Sequence, residues 1–506
     1  TFQYTQNTQS PHPNTKLNVI QQENALQGTS SWKIPYGQQA TTQIQAYASA
    51  TSVQPGQSIS FQVSTQVEGT LYSLGIYRFG WYGGLGGRLK LLVSHLVGHA
   101  QGYYDRDAHQ LNQCTACHVD TTSGLVEANW QPSYTLTIPP DWVTGVYLAK
   151  FADAKGMQTY APFDVRGNTY ATYVLVTSDT TYAAYNQWGG ASLYEEGNAS
   201  STQNGHIQEG TSSHGVRVSF DRPYVDGYGS GHILLFETTG IHWLERQGYD
   251  LSYISSVDLH ENARQLLQHR VYLSLGHDEY WTKEMRDGVE YARDHGVGLG
   301  FLGANESYWQ MRFEPNSKGI ADRTLVCYKV ETGHNDLAHD PSYGKDNTRI
   351  TTQWRDPILH RPENSLAGIM YSSLTLTQRG FTWQVNASAD EPLLKGTGLQ
   401  SGQQYGCGIV GYEWDHIFNN GETPKNLHVI AQSNTIDAYH RTDTSNTAYY
   451  IAPSGAMVFA AGSIYWTAAL DSFRIYPAPL CAVTVVPQIQ TLLTNVMVAL
   501  ATKHVG

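Results

Sequence analysis

Between residues 40 and 165 apolar and polar positions alternate, in the stretches Thr42–Tyr47, Ser58–Val63, Tyr72–Arg78, Tyr134–Ile138 and Gly145–Lys150. A period of two with turn signals between the runs, such as Gln54-Pro55-Gly56 and Pro139-Pro140-Asp141, predicts short strands of a small Ig-like β sandwich. After Tyr170–Val176 the texture changes. Short continuous apolar runs at Ile233–Phe236, Leu251–Ile254, Val271–Leu275 and Val297–Leu302 read as buried strands, and helical spacing occupies residues 239–248, 261–268 and 282–295 between them. That alternation predicts a parallel-sheet α/β domain with right-handed crossovers. Residues 487–503 carry apolar positions at helical spacing, the mark of a terminal helix docked on the body. The opening residues, rich in Gln, Asn, Thr and Pro, read as an extended arm with little core of its own. The expected organisation is an arm over 1–38, a β sandwich over 39–167, an α/β domain over 168–470 and a tail with a helix over 471–506.

Composition narrows the function classes. Only 15% of the 506 residues are charged, against a usual value of about 25%, and the chain holds 34 Tyr and 48 Gly with a formal net charge of −12. A low-charge, Tyr-rich and Gly-rich profile is that of a secreted or surface protein, and a start at Thr1 suits a processed one. The negative balance and the lack of a basic stripe argue against nucleic acid as a partner. No apolar run approaches the ~20 residues that span a bilayer. The arm suits association of subunits, by adding a strand to a neighbour's edge.

Two of the predicted strands end in chemistry. Val271–Leu275 runs into Gly276-His277-Asp278-Glu279-Tyr280-Trp281, and Val297–Leu302 into Gly303-Ala304-Asn305-Glu306-Ser307-Tyr308-Trp309. In open α/β sheets ligands bind outside the carboxyl ends of the strands, so these polar and aromatic groups share one rim. Asp258 precedes a helical stretch and reads as its cap. The cluster Gly411-Tyr412-Glu413-Trp414-Asp415 reads equally well as stacked surface aromatics. No Gly-x-Ser-x-Gly elbow is present, which removes support for a serine hydrolase.

Those two rim segments, with Tyr182-Ala183-Ala184-Tyr185-Asn186-Gln187-Trp188-Gly189-Gly190 upstream, resemble the C-terminal domain of the large (β) subunit of N,N-dimethylformamidase over roughly residues 70–470. The resemblance implies a glutamine-amidotransferase-like or flavodoxin-like sheet beside an amino-terminal β domain. It also implies hydrolysis of a small amide C–N bond at a mononuclear iron held by two tyrosines and one glutamate. Matched residue by residue, the ligands are Tyr185, Tyr194 and Glu279. Phenolate and carboxylate are hard anionic donors suited to a ferric ion. His277, Asp278 and His260 are the nearest candidates for moving or orienting protons. The chain departs from the family at Asp278, where active members carry Pro between the His and the Glu.

Cysteine usage adds a separate signal. Cys114-Thr115-Ala116-Cys117-His118 fits the C-x-x-C-H motif of covalent c-type haem, with His95, His99 and His109 as distal ligands nearby. The same residues also allow a Cys114–Cys117 disulfide, a zinc site with one more histidine, or coincidence. Relatives pair a cysteine near this point with one in a Glu-Cys-Asn-Trp segment, where this chain has Ala128. Cys327 and Cys407 form a possible bridge in an oxidising compartment. The function expected is therefore a secreted iron-dependent amide hydrolase carrying haem. The alternative is an extracellular cytochrome that reuses the scaffold for electron transfer to a redox partner.

Overall fold

The computed structural model describes residues 16–167, 170–194, 215–330, 337–376, 380–473 and 485–504. The described part of the opening segment is not an arm. Helix α1 (Val19–Asn24) starts at a capping box on Asn18, and Ile20 and Trp32 are fully buried in the same apolar cluster as the central sheet. Residues 1–15 lie outside the described residues.

The alternating stretches form two packed sheets. Strands β1 (Ile44–Ala48), β2 (Ser52–Val53), β3 (Ser58–Thr65), β4 (Leu71–Phe79), β5 (Gly87–Val97), β6 (Pro132–Thr137), β7 (Gly145–Asp153) and β8 (Gln158–Val165) follow in chain order. They associate as β1-β3-β6 and β2-β8-β7-β4-β5. Phe61 from one sheet meets Phe151 and Phe163 from the other, edge to face at 5.9 and 5.6 Å. The chain between β5 and β6 carries two small hairpins and the Cys114–Cys117 disulfide, whose Cα atoms are 5.3 Å apart.

The second body is a seven-stranded sheet. Strands β9 (Tyr173–Thr177), β10 (Leu251–Ser255), β11 (Val271–His277), β12 (Gly298–Ala304), β13 (His428–Ile436), β14 (Thr442–Ile451) and β15 (Met457–Ala460) lie in the order β10-β9-β11-β12-β15-β14-β13. The first five in that row are parallel, and β14 and β13 are added at the edge by antiparallel pairings, β15 to β14 and β14 to β13. The parallel five follow the flavodoxin-like order 2-1-3-4-5, whose switch point lies between β9 and β11. Helix α2 (Asp179–Tyr185) follows β9 directly; α3 (Thr238–Gln247), α4 (Ser256–Glu261), α5 (Lys283–Asp294) and α6 (Pro487–Leu500) complete the layers.

Both faces are covered, which is why the central strands are apolar without a polar face. Along β11, Val271, Leu273 and Leu275 join the cluster containing α3 and α6, while Tyr272 joins the one containing Met285 and Val289 of α5. The first of these clusters also takes in Tyr77, Phe79 and Leu148 from the sandwich. A fully buried ion pair crosses the same seam: Arg78 of β4 sits 2.7 Å from Glu245 of α3.

Three expectations are corrected. Ile233–Phe236 is not a strand but part of a π-helical turn, Ile233–Glu237, that runs into α3. A short apolar run carries no period to separate the two readings. Residues 261–268 do not form one helix; α4 ends at Glu261 and a 3₁₀ turn, Ala263–Gln268, follows. Cys327 is a buried free thiol and Cys407 is disulfide-bonded, so they do not bridge each other. Among the described residues no helix is long and apolar enough to cross a membrane.

Candidate active site

The switch point gathers the site. Chain leaving β9 forms α2, whose last residue is Tyr185, and chain leaving β11 delivers His277, Asp278 and Glu279. Gly276 makes that delivery possible: it holds φ at 68°, and a Cβ there would lie 2.7 Å from Cβ of Phe236. The Glu279 amide donates to Thr181 Oγ1 of α2 at 3.0 Å, tying the two strand exits together.

The three expected ligands converge. Tyr185 donates its phenol hydrogen to Glu279 Oε2 and Tyr194 donates to Oε1, each at 2.7 Å, so both carboxylate oxygens are engaged. Their rings stack with centroids 4.3 Å apart, and Tyr280 donates to the Tyr194 oxygen at 2.7 Å. The Lys329 ammonium lies 3.1 Å from the Tyr194 ring centroid. Burial pushes both phenols well above their ordinary pKa, and the Glu279 charge adds to it. Burial opposes ionisation of Glu279 too, but His277, Lys329 and the Tyr185 hydroxyl bring its pKa below the usual value.

His277 adjoins this trio. Its Nε2 lies 3.2 Å from Glu279 Oε2 and 3.3 Å from Glu413 Oε2, and the Tyr412 hydroxyl is 3.4 Å from Nδ1. Burial alone would depress its pKa; the carboxylates of Glu413 and Glu279 outweigh that and raise it. Burial pushes Glu413 up to about 7 despite His277 beside it. Asn305, at φ 56° just beyond the end of β12, donates from Nδ2 to Glu413 Oε2 at 3.0 Å.

Glu413 and Asn305 are the residues the sequence did not single out. Glu413 stands in a cluster that reads as surface aromatics, yet it is 5% exposed and faces the histidine. Asn305 was visible only as part of a rim segment.

Two expected proton carriers are elsewhere. Asp278 turns away from the trio and accepts from Ser274 Oγ at 3.0 Å; burial raises it to about 6. His260 belongs to another cluster, bonded to Thr282 Oγ1 at 2.9 Å and packed edge-on against Phe313. Asp258 completes a capping box with Ser255, as read from sequence. In the C-x-x-C-H segment both sulfurs are spent in the disulfide, one of the alternatives the motif left open, and a thioether to a porphyrin would need them reduced. His118, His95, His99 and His109 are all exposed, and His99 pairs with Glu68 at 2.8 Å. Among the described residues no group of three or more His, Cys, Asp or Glu side chains is placed to hold a metal ion, so the phenol–carboxylate trio is the donor set to weigh.

The model of the N,N-dimethylformamidase beta subunit-like, C-terminal family matches residues 73–479. The chain belongs to that family. It is 24% identical over 409 residues to the N,N-dimethylformamidase beta subunit of Alcaligenes sp, covering 69% of this chain and 52% of that protein. Against the subunit of the same name from Paracoccus aminophilus it is 25% identical over 352 residues, covering 61% and 45%. The chain thus spans about half the length of these curated relatives. A cycloisomaltooligosaccharide glucanotransferase structure from Paenibacillus sp., at 9% identity and a TM-score of 0.16 over 68% of this chain and 62% of that one, bears on neither fold nor chemistry.

Proposed function

We propose that this chain is an iron-assisted hydrolase of small linear amides, with Tyr185, Tyr194 and Glu279 as the residues that would hold a ferric ion. The observation that carries the reading is the engagement of both Glu279 oxygens by two stacked phenols at 2.7 Å. Three hard oxygen donors from separate chain segments meet at one point, with Tyr185 and Tyr194 each partly open to solvent. Held by Tyr185, Tyr194 and Glu279, a ferric ion would supply Lewis acidity for carbonyl polarisation and water activation.

The chain's own residues handle the protons. His277 lies with Nε2 between the carboxylates of Glu279 and Glu413 and would hold a proton there, and Glu413, which accepts from Asn305, would take a proton from water attacking the carbonyl carbon. The same pair returns it to the departing nitrogen, which leaves as an amine. Phe236 and Tyr412 pack around His277 at ring distances of 6.1 Å, screening it from bulk water.

Loading the purified protein with iron, followed by elemental analysis, absorption spectroscopy and an amine-release assay on short amides, tests the proposal. Stoichiometric iron, a broad phenolate-to-iron band, and loss of both in Glu279→Gln are expected. A folded protein that takes up no iron overturns it.

A further inference from the structure

Residues 186–193, which separate the two ligand tyrosines, lie outside helices and strands, yet Asn186, Trp188, Ser192 and Leu193 are all at most 2% exposed. One side chain accounts for most of that order. Arg222, 1% exposed, donates from Nη1 to the carbonyls of Trp188 at 2.6 Å and Ala191 at 2.9 Å, and from Nη2 to that of Asn186 at 2.7 Å. All three acceptors belong to this segment. Among the described residues no carboxylate forms an ion pair with Arg222, and its Nε has no hydrogen-bond partner. Burial lowers its pKa to about 10. A buried cation without a counter-charge is costly. Such costs persist where a site needs a fixed geometry.

The other fastening comes from the sandwich. Trp188 Nε1 donates to Gln45 Oε1 on β1 at 2.9 Å, and its ring meets Trp130 edge to face at 5.6 Å. Gln45 is itself held, donating to the Tyr104 carbonyl at 2.7 Å and accepting from the Tyr104 amide at 3.0 Å. Gly189, at φ 85°, lies so near the sandwich insert that a Cβ would sit 2.6 Å from Cγ1 of Val126. At the far end the Leu193 amide donates to Ala184 O at 3.0 Å, closing the segment back onto α2 beside Tyr185.

We infer that Arg222, Trp188 and Gln45 are positioning residues, through which the β sandwich fixes the spacing of the Tyr185 and Tyr194 phenols for a trivalent cation. The inference rests on the proposed iron site for its purpose, and on the hydrogen bonds above for its mechanism. Groups outside a metal's immediate ligands commonly change affinity 10–100-fold when removed.

The test uses the full chain with Arg222→Lys, Gln45→Leu and Trp188→Phe, the last two being independent of whether the arginine variant folds. Each is read by hydrogen exchange of residues 186–194, by fluorine NMR of fluorotyrosine at 185 and 194, and by ferric affinity with the energy of the phenolate-to-iron band. Expected are a cooperatively folded Gln45→Leu, faster exchange confined to the segment, broadened tyrosine signals, and ferric affinity about 10- to 100-fold weaker with a shifted band. Unchanged tyrosine signals in folded variants overturn the inference, as does faster exchange with parent ferric affinity and band. If the parent takes up no iron the hydrolase proposal fails, and the inference then stands or falls on the metal-free tyrosine signals.

Discussion

Glu413 is the residue at which chemistry and binding separate. It contacts His277 and is not among the three oxygen donors, so Glu413→Gln should leave ferric affinity within a few-fold of the parent while lowering kcat by roughly 10²- to 10⁴-fold. Rapid kinetics beside an iron titration decides this; equal loss of both would make Glu413 part of the binding set. A second residue-scale expectation concerns Asp179. Thr177 Oγ1 lies 2.6 Å from Asp164 Oδ2 and 2.7 Å from Asp179 Oδ2, and one hydroxyl hydrogen serves only one of two buried carboxylates. The other is best satisfied as a neutral acid; burial pushes Asp179 up to about 7, with the Asp258 charge adding to it. A carboxyl raised in the folded state stabilises fully below its ordinary pKa and loses that contribution as pH rises towards about 7. Stability should therefore fall between about pH 4 and about pH 7, and Asp179→Asn should flatten the slope by on the order of 1–2 kcal/mol in urea melts. Glu279, Tyr185 and Tyr194 were named through the family resemblance, and the fold brings their oxygens into contact. Glu413 and Asn305 were not legible, because 108 residues separate them and only chain closure makes them neighbours.

Among elements, β11 and β12 were readable from their apolar runs alone, since a strand covered on both faces needs no polar alternation. The π-helical turn before α3 was not, because Ile233–Phe236 is as apolar and as short as a strand. Its misreading matters, as Phe236 from that turn packs against the tip of β11. Gly276→Ala places a methyl group against Phe236 and forces a left-handed φ on alanine, so it should cost about 1–3 kcal/mol and displace His277. Denaturant melts give the first quantity. Parent-like stability would mean that the turn yields freely.

On the scale of the whole molecule the amino-terminal segment shows why composition misleads. A stretch rich in Gln, Asn and Thr predicts an arm, but within its described part, residues 16–38, Ile20, Trp32 and Ile34 are buried in the core. Trp32 is fully buried, lies 5.4 Å from Phe79 and 6.0 Å from Phe473 by ring centroids, and donates Nε1 to Leu85 O at 3.0 Å. Trp32→Ala should cost about 3–5 kcal/mol, measured by equilibrium unfolding. A loss below about 1 kcal/mol would restore the reading of a detachable arm. The Arg78–Glu245 pair has a further consequence for how such chains diversify. A crossover between homologous genes at the join after residue 167 would unite an arginine from one parent with whatever the other parent holds opposite it. Where that is not an acid, a lone cation is stranded in a dry interior, so viable hybrids should inherit positions 78 and 245 together.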